Sequence, residues 1–237
     1  HIDNKNEHWK EFEAAYKNID TLDIDIAFSN IEIKVGNEFR VEASTKSDLN
    51  CKQVNGKLKI EEKNKWFINN NLAGEVVIYV PSNTLLKEID LDTGAGGIEI
   101  ENIQAGSLDI DHGAGLLKIL NCNFNKTDID GGAGEIEILG SILNNLDLDC
   151  GVGKVQMEAY VTGNSRISAG IGEINLTLLG NKNYYQITTD KGIGSIRIEN
   201  QECTSNTTYG SGDNKIKIDG GIGSIIVDYK TSNIVNL

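Results

Sequence analysis

The chain has 237 residues, of which 39% are hydrophobic, enough for one large domain or two small ones. It carries 35 acidic and 22 basic residues, a formal net charge of −13. Because phosphate backbones and anionic membranes attract positive proteins, this charge argues against nucleic acid as a partner and leaves cations, basic proteins and glycans open. Twenty-six glycines against one proline indicate many tight turns.

The first predicted element is an N-terminal cap or linker over residues 1–19. Trp9, Phe12 and Tyr16 stand at helix-like spacing, so an amphipathic segment could cover the open end of the following structure. An edge strand fits the same residues. No stretch approaches the ~20 apolar residues of a transmembrane helix. Since the chain starts at His1 without an initiating methionine, membrane association is expected only through an anchor upstream of it.

Residues 20–90 contain a less regular version of a repeat that is clear further on. Residues 22–33 align without a gap with residues 89–100, with Ala27 and Ser29 in place of two glycines. Strand-like runs follow at residues 39–43, 58–61 and 76–80, the last ended by Pro81, which cannot donate to a ladder. This pattern predicts irregular first coils of the same domain.

The repeat itself is a Gly-x-Gly triplet with Ala, Val or Ile in the middle. The first five triplets begin at one constant interval and two more follow at longer intervals; the triplets begin at Gly94, Gly113, Gly132, Gly151, Gly170, Gly192 and Gly221. Such regularity indicates one tight corner per coil. We expect the middle residue to point inward and fill the corner.

Apolar residues, with Thr189 as the exception, recur at fixed positions on both sides of the triplet. Three residues before its first glycine stand Leu91, Ile110, Ile129, Leu148, Ile167, Thr189 and Ile218, and four residues after it stand Ile98, Leu117, Ile136, Val155, Ile174, Ile196 and Ile225. Stacked coils would place each side chain on its counterpart and close a continuous core. Hairpins would instead need Asn-Gly or Asp-Gly turns every ~8–12 residues. The sequence predicts an all-β fold, a single parallel β-solenoid (β-helix) of about 19-residue coils over residues 20–237, with regular coils at 91–229.

The Leu-Asp-Ile-Asp, Gly-Ala-Gly and Glu-Ile-Glu-Ile segments resemble the putative-adhesin family of bacterial β-strand-repeat domains, over residues 16–229. The resemblance implies an extracytoplasmic protein of the bacterial envelope or surface, membrane-anchored in its full length. It implies no catalytic residues. We therefore expect a non-enzymatic adhesin or envelope scaffold that binds a glycan or a cell-surface protein. A carbohydrate-active enzyme on a β-helix is the alternative, and a structural spacer or sensor domain is a third hypothesis.

Aspartates form two columns before the triplets. One column holds Asp90, Asp109, Asp128, Asp147 and then Arg166, and the other holds Asp92, Asp111, Asp130, Asp149, Ser168, Asp190 and Asp219. Calcium could bridge such carboxylates, but known calcium-binding β-rolls place Asp after the glycines on a nine-residue period. We expect hydrated carboxylates and no metal site.

Other candidate sites are few. The four cysteines are widely scattered and form no Cys-x-x-Cys pair, so neither a zinc site nor a disulfide framework is predicted. No cofactor is expected, since strands and not helices follow the glycines. His112 is expected to be exposed. Aromatic residues that interrupt the repeat are candidate sugar contacts or core covers: Trp66, Phe67, Tyr184 and Tyr185.

Overall fold

The computed structural model describes residues 9–62 and 73–231, which form strands connected by turns and short loops and one 3-10 turn, Lys182–Tyr184. No α-helix occurs in these ranges, and the predicted all-β class is confirmed. The strands are β1 Lys10–Tyr16, β2 Thr21–Ile26, β3 Asn30–Gly36, β4 Phe39–Thr45, β5 Leu49–Val54, β6 Lys57–Glu62, β7 Glu75–Pro81, β8 Leu85–Ala95, β9 Ile98–Glu101, β10 Gln104–Leu120, β11 Asn123–Asp130, β12 Ala133–Asn144, β13 Leu146–Thr162, β14 Asn164–Leu179, β15 Tyr185–Ile198, β16 Gln201–Glu202, β17 Thr207–Tyr209 and β18 Asn214–Lys230.

Alternating side chains decide which face of each strand is buried. In β2, Leu22, Ile24 and Ile26 are fully buried while the residues between them are partly exposed. This is the period-2 pattern of a strand with one face on a core. Residues of this kind form a single buried cluster from Ile19 to Val227.

Strands from successive Gly-x-Gly coils pair in parallel with equivalent residues in register. Ile110 of β10 pairs with Leu91 of β8 on one side and with Ile129 of β11 on the other. Beyond the glycine corner, Ile119 of β10 pairs with Ile100 of β9 and with Ile138 of β12. The apolar columns expected from the sequence therefore exist.

Glycine forms the first corner because the stacked backbones approach each other closely there. Gly153 has φ +146°, and a Cβ on it would lie 1.7 Å from the carbonyl oxygen of Gly134 in the adjacent coil. Only a residue without a side chain fits such a corner and its φ.

A second corner uses the left-handed backbone that asparagine tolerates. Asn83, Asn102 and Asn121 have φ of 60°, 57° and 52°, and Gly140, the next residue in the same series, has φ 62°. These four positions recur at the same interval as the first five triplets. Asparagine enters this region more readily than most residues. The Gly-x-Gly repeat predicts one tight corner per coil, so this second corner is visible only in the structure.

The middle residue of the triplet points outward, so the prediction that it fills the corner is wrong. Val152, Ile171, Ile222 and Ile193 are 52%, 51%, 52% and 72% exposed. The residues before and after the triplet supply the core, and the corner is too tight to hold another inward side chain.

Spatial order departs from chain order at both ends of the stack. β18, the last strand, lies between β14 and β15 and pairs in parallel with both. At the other end, β2 lies between β6 and β8, and β3 between β7 and β9. The first and last coils of the chain are thus interior coils of the stack.

Antiparallel strands cover the outermost coils. β1 pairs with β4, β4 with β7, and β5 with β6, all antiparallel. At the opposite end, β16 and β17 pair antiparallel with β15. Residues 10–16 are therefore an edge strand and not a helix, and residues 39–54 are antiparallel covers instead of irregular coils.

Within residues 9–62 and 73–231, no helix has the length and apolarity needed to span a bilayer. All four cysteines are free, with Cys122 and Cys150 fully buried.

Candidate binding surface

The aspartate columns form one outward face of the stack. Parallel pairing places the first column in the order Asp23, Asp90, Asp109, Asp128 and Asp147. Neighbouring members are separated by ~4.8 Å, the spacing between paired strands. Five carboxylates therefore lie in a single row, which we call the acidic column.

Cationic residues end the acidic column on both sides. Lys59 of β6 pairs with Asp23, and Arg166 of β14 pairs with Asp147 and is itself followed by Lys217 of β18. The Nη2 atom of Arg166 lies 3.2 Å from Oδ1 of Asp147. The row thus changes from negative to positive between β13 and β14, next to the inserted β18.

A second row of carboxylates runs beside the acidic column, two residues further along each strand. It contains Asp25, Asp92, Asp111, Asp130, Asp149, Ser168, Asp219 and Asp190 in spatial order. Ser168 donates a 3.1 Å hydrogen bond from its hydroxyl to Oδ1 of Asp149. Together the two rows make an extended, regular and strongly acidic face.

Burial and like charges shift the ionisation of this face. Partial burial, followed by repulsion from Asp109 and Asp23, raises the pKa of Asp90 above its usual range. Partial burial, then Asp109 and Asp147, raises the pKa of Asp128 in the same way. Both effects disfavour the charged form. A bound cationic group would relieve this repulsion.

The carboxylates are spread along the stack and do not converge on one point. Within the described ranges, no three His, Cys, Asp or Glu residues are arranged to hold a metal ion. Regular rows suit an extended partner better than a single coordinated ion.

The aromatic candidates have different environments. Tyr184 is 55% exposed at the end of the 3-10 turn. Tyr185 is 1% exposed, donates its hydroxyl to the carbonyl of Leu179, and has its ring centroid 6.2 Å from that of Tyr229. Tyr185 thus covers the core, whereas the side chain of Tyr184 is open to solvent. Trp66 and Phe67 lie outside the described residues.

His112 is buried, contrary to the expectation that it would be exposed. It is 2% exposed, and its Nε2 atom lies 2.8 Å from the carbonyl oxygen of Gly96. The residue occupies an inward position just before the corner, where a polar ring needs this hydrogen bond.

Sequence reasoning missed the basic residues beside the acidic column. Arg166 was visible as a break in the row, but nothing in the sequence indicated that Lys215 and Lys217 lie next to it. The longer intervals before the triplets at Gly192 and Gly221 were the available signal. They show that the spacing changes, but not which coil stacks on which.

Several solved structures are similar to the chain over most of its length. A putative adhesin from Bacteroides fragilis has 14% identity and a TM-score of 0.58, with 93% of this chain and 97% of that chain covered. A putative adhesin from Parabacteroides distasonis has 11% identity and a TM-score of 0.50, with 94% and 98% covered. A putative lipid binding protein from the same species has 16% identity and a TM-score of 0.46, with 94% and 97% covered.

At these identities the similarity is one of fold. No curated protein matches the chain. Residues 19–221 match the family model described as Toastrack DUF4097, in agreement with the adhesin-type resemblance of the repeat. Because that match spans most of its length, the chain belongs to the Toastrack DUF4097 family.

Proposed function

We propose that the chain is a non-enzymatic binding domain of the bacterial envelope or surface, built as a single parallel β-solenoid. The observation that carries the proposal is the acidic face, whose in-register rows offer a long and rigid surface to a partner. The partner is a glycan or a cell-surface protein, and the domain is held at the membrane by a segment outside this chain. Two structural neighbours that share the fold are named putative adhesins, which supports this assignment.

The regularity of the carboxylates supports a binding role over catalysis. A glycosidase needs two carboxylates with different tasks, one raised in pKa as the acid and one ionised. In the acidic column, the neighbours of each aspartate are largely its own equivalents in the next coils. Equivalent carboxylates can contact an extended partner at several points at once. They do not provide two carboxylates with different roles, as a glycosidase needs.

A binding screen tests the proposal. The purified chain is presented to a glycan array and to extracts of cell-surface proteins, beside an Asp109→Asn/Asp128→Asn variant. Glu135→Gln/Glu137→Gln, which removes two carboxylates beyond the corner, is the matched control. We expect the unaltered chain to capture at least one partner class reproducibly. The control should still capture that partner, whereas the Asp109→Asn/Asp128→Asn variant should capture less of it.

Capture of nothing in either screen would contradict the binding role and favour a structural spacer. Release of sugars from a polysaccharide panel by the purified chain would overturn the non-enzymatic assignment.

A further inference from the structure

A shallow depression of about 640 Å³ lies on the outer face where the acidic column ends. Its lining residues lie on β13, β14, β18 and β15 or directly before β13, and they include the buried Leu146, Ser165 and Ile216. Because β18 is inserted between β14 and β15, these side chains are brought together only by the non-sequential stacking.

The outward side chains of the depression form two adjacent rows. In the first, Asp147, Arg166, Lys217 and Thr188 follow one another in register. In the second row, Asn164, Lys215 and Gln186 are in register. Asn145 lies beside Asn164, and its side-chain oxygen accepts a 3.1 Å hydrogen bond from the backbone N–H of Asn164. Rungs ~4.8 Å apart and residues ~7 Å apart along a strand make a grid of about 14 by 7 Å.

Three cations meet in this grid, in a chain whose net charge is −13. Arg166 is paired with Asp147. Within the described part of the chain, no carboxylate forms an ion pair with Lys215 or Lys217, and both residues are exposed. Two ammonium groups and a guanidinium held side by side repel one another, and an anionic group between them would remove that repulsion.

The neutral side chains narrow the chemistry of the ligand. Asn145, Asn164 and Gln186 each offer both donors and acceptors, and the hydroxyl of Thr188 lies 3.2 Å from that of Thr208. Such groups suit sugar hydroxyls, which also donate and accept. An inorganic anion would use donors alone.

The charges around the grid limit the charge density of the ligand. Asp147 lies inside the depression and the acidic column continues directly from it. A dense polyanion would be repelled along that row, whereas a chain with spaced carboxylates would place one of them on the cations. The size of the depression is within the ~300–1,000 Å³ typical of ligand sites.

We propose that this depression binds an acidic glycan, with a uronate carboxylate on Arg166, Lys215 and Lys217 and the sugar hydroxyls on the neighbouring amides. This assignment rests on the proposed binding function and names the ligand class of the cationic depression that adjoins the acidic face.

Calorimetric titration with hyaluronan oligosaccharides, in which only every second sugar carries a carboxylate, tests the assignment, with their fully methyl-esterified form as the uncharged counterpart. We expect binding of the free acid only, with an affinity that falls as salt is raised. Lys215→Gln/Lys217→Gln should weaken binding ~10-fold or more, as expected for lost charge-assisted hydrogen bonds. Lys118→Gln/Lys154→Gln, which removes two positive charges beyond the corner, should bind as the unaltered chain does.

Other results would overturn the assignment. Equal binding of the ester would show that charge is not recognised, and an equal loss in both double variants would show a general charge effect. Full displacement by millimolar phosphate would identify a simple anion site. Binding of other glycans or of proteins without any uronate binding would refute the inference and leave the proposed function intact, whereas no binding of any kind would refute both.

Discussion

Two isoleucines at one corner, Ile171 within it and Ile174 just after it, have opposite environments. Ile171 is the middle residue of its triplet and is 51% exposed, whereas Ile174 lies in the core and is 1% exposed. Hydrophobicity alone therefore does not tell what either side chain contributes. Position relative to the glycine corner decides whether a methyl group is removed from water.

Truncating these two residues should have very different costs. We expect Ile174→Ala to lower the free energy of unfolding by about 2–5 kcal/mol, because it loses buried surface and leaves a cavity. Ile171→Ala should cost less than about 1 kcal/mol, as at most exposed positions. Urea unfolding of both variants measures the difference, and equal losses would show that the corner residue is part of the core.

Asp128 allows the repulsion within the acidic column to be measured. Its pKa is raised in the folded state by partial burial and by Asp109 and Asp147. Because the pKa of this carboxyl is higher in the folded than in the unfolded protein, ionisation of the carboxyl destabilises the fold. This penalty begins to fall when the pH drops to the folded-state pKa, and it is gone below the unfolded-state pKa. The loss of stability caused by ionised Asp128 is therefore expected at neutral and mildly acidic pH.

We expect Asp128→Asn to stabilise the protein at pH 7 by about 0.2–1 kcal/mol, as removing a like charge from a strand pair does. The gain should shrink as pH falls towards about 4, near the usual carboxyl pKa, and should also shrink in high salt. Thermal unfolding at several pH values measures it. Asp213→Asn, outside both rows, is the control, and a gain independent of pH would refute the electrostatic cause.

At the scale of the element, the corner sets how close two coils can be. The glycines that end the triplets have positive φ and lie against the backbone of the neighbouring coil: Gly96, Gly115, Gly134, Gly153, Gly172, Gly194 and Gly223. Gly97, directly after the first triplet, is different, because a Cβ added to it would lie no closer than 3.5 Å to its nearest neighbour, Oδ1 of Asn30. The last position of each triplet therefore requires glycine, whereas the position directly after the first triplet does not.

Alanine substitution separates these two kinds of glycine. Gly153→Ala would put a Cβ 1.7 Å from the carbonyl oxygen of Gly134, so we expect a loss of more than about 3 kcal/mol. Gly97→Ala keeps the backbone N–H that donates to Asn30 at 2.7 Å and should change stability by less than about 1 kcal/mol. Chemical unfolding compares them, and a tolerated Gly153→Ala would show that the coils can separate.

At the scale of the whole molecule, the first and last coils hold the stack together from inside. β18 has paired strands on both edges, whereas β1 pairs only with β4 among the described strands. A terminal segment of the chain is therefore an interior element of the fold. Its loss would expose two strand edges, which are sites of aggregation when uncovered.

Removing residues 213–237 should abolish the native fold. The deletion takes away Ile216, Ile218, Ile225 and Val227, each at most 2% exposed. At about 1.5–3 kcal/mol for each buried side chain the loss is roughly 6–12 kcal/mol, as large as the ~5–15 kcal/mol that stabilises a typical protein.

Removing residues 1–17 is the control deletion, since it takes away an edge strand at the opposite end of the chain. The apolar side chains that it removes, such as Phe12 and Tyr16, are only partly buried. This deletion should leave a cooperative transition at a lower temperature. Circular dichroism melting and size-exclusion chromatography compare the two deletions. A folded, monomeric product without residues 213–237 would contradict the inserted position of β18.

The sequence by itself determined the strands of the Gly-x-Gly coils, their buried faces and the residues that meet in each column, because alternation and a constant repeat interval specify these locally. Only the tertiary structure decided that β18 lies between β14 and β15, that residues 39–54 run antiparallel, and that Arg166, Lys215 and Lys217 share a depression. The physical reason is that the coils have nearly equivalent apolar columns, so any coil can stack on any other. The longer chain connections before the last two triplets permit more than one order, and packing of the complete stack selects among them.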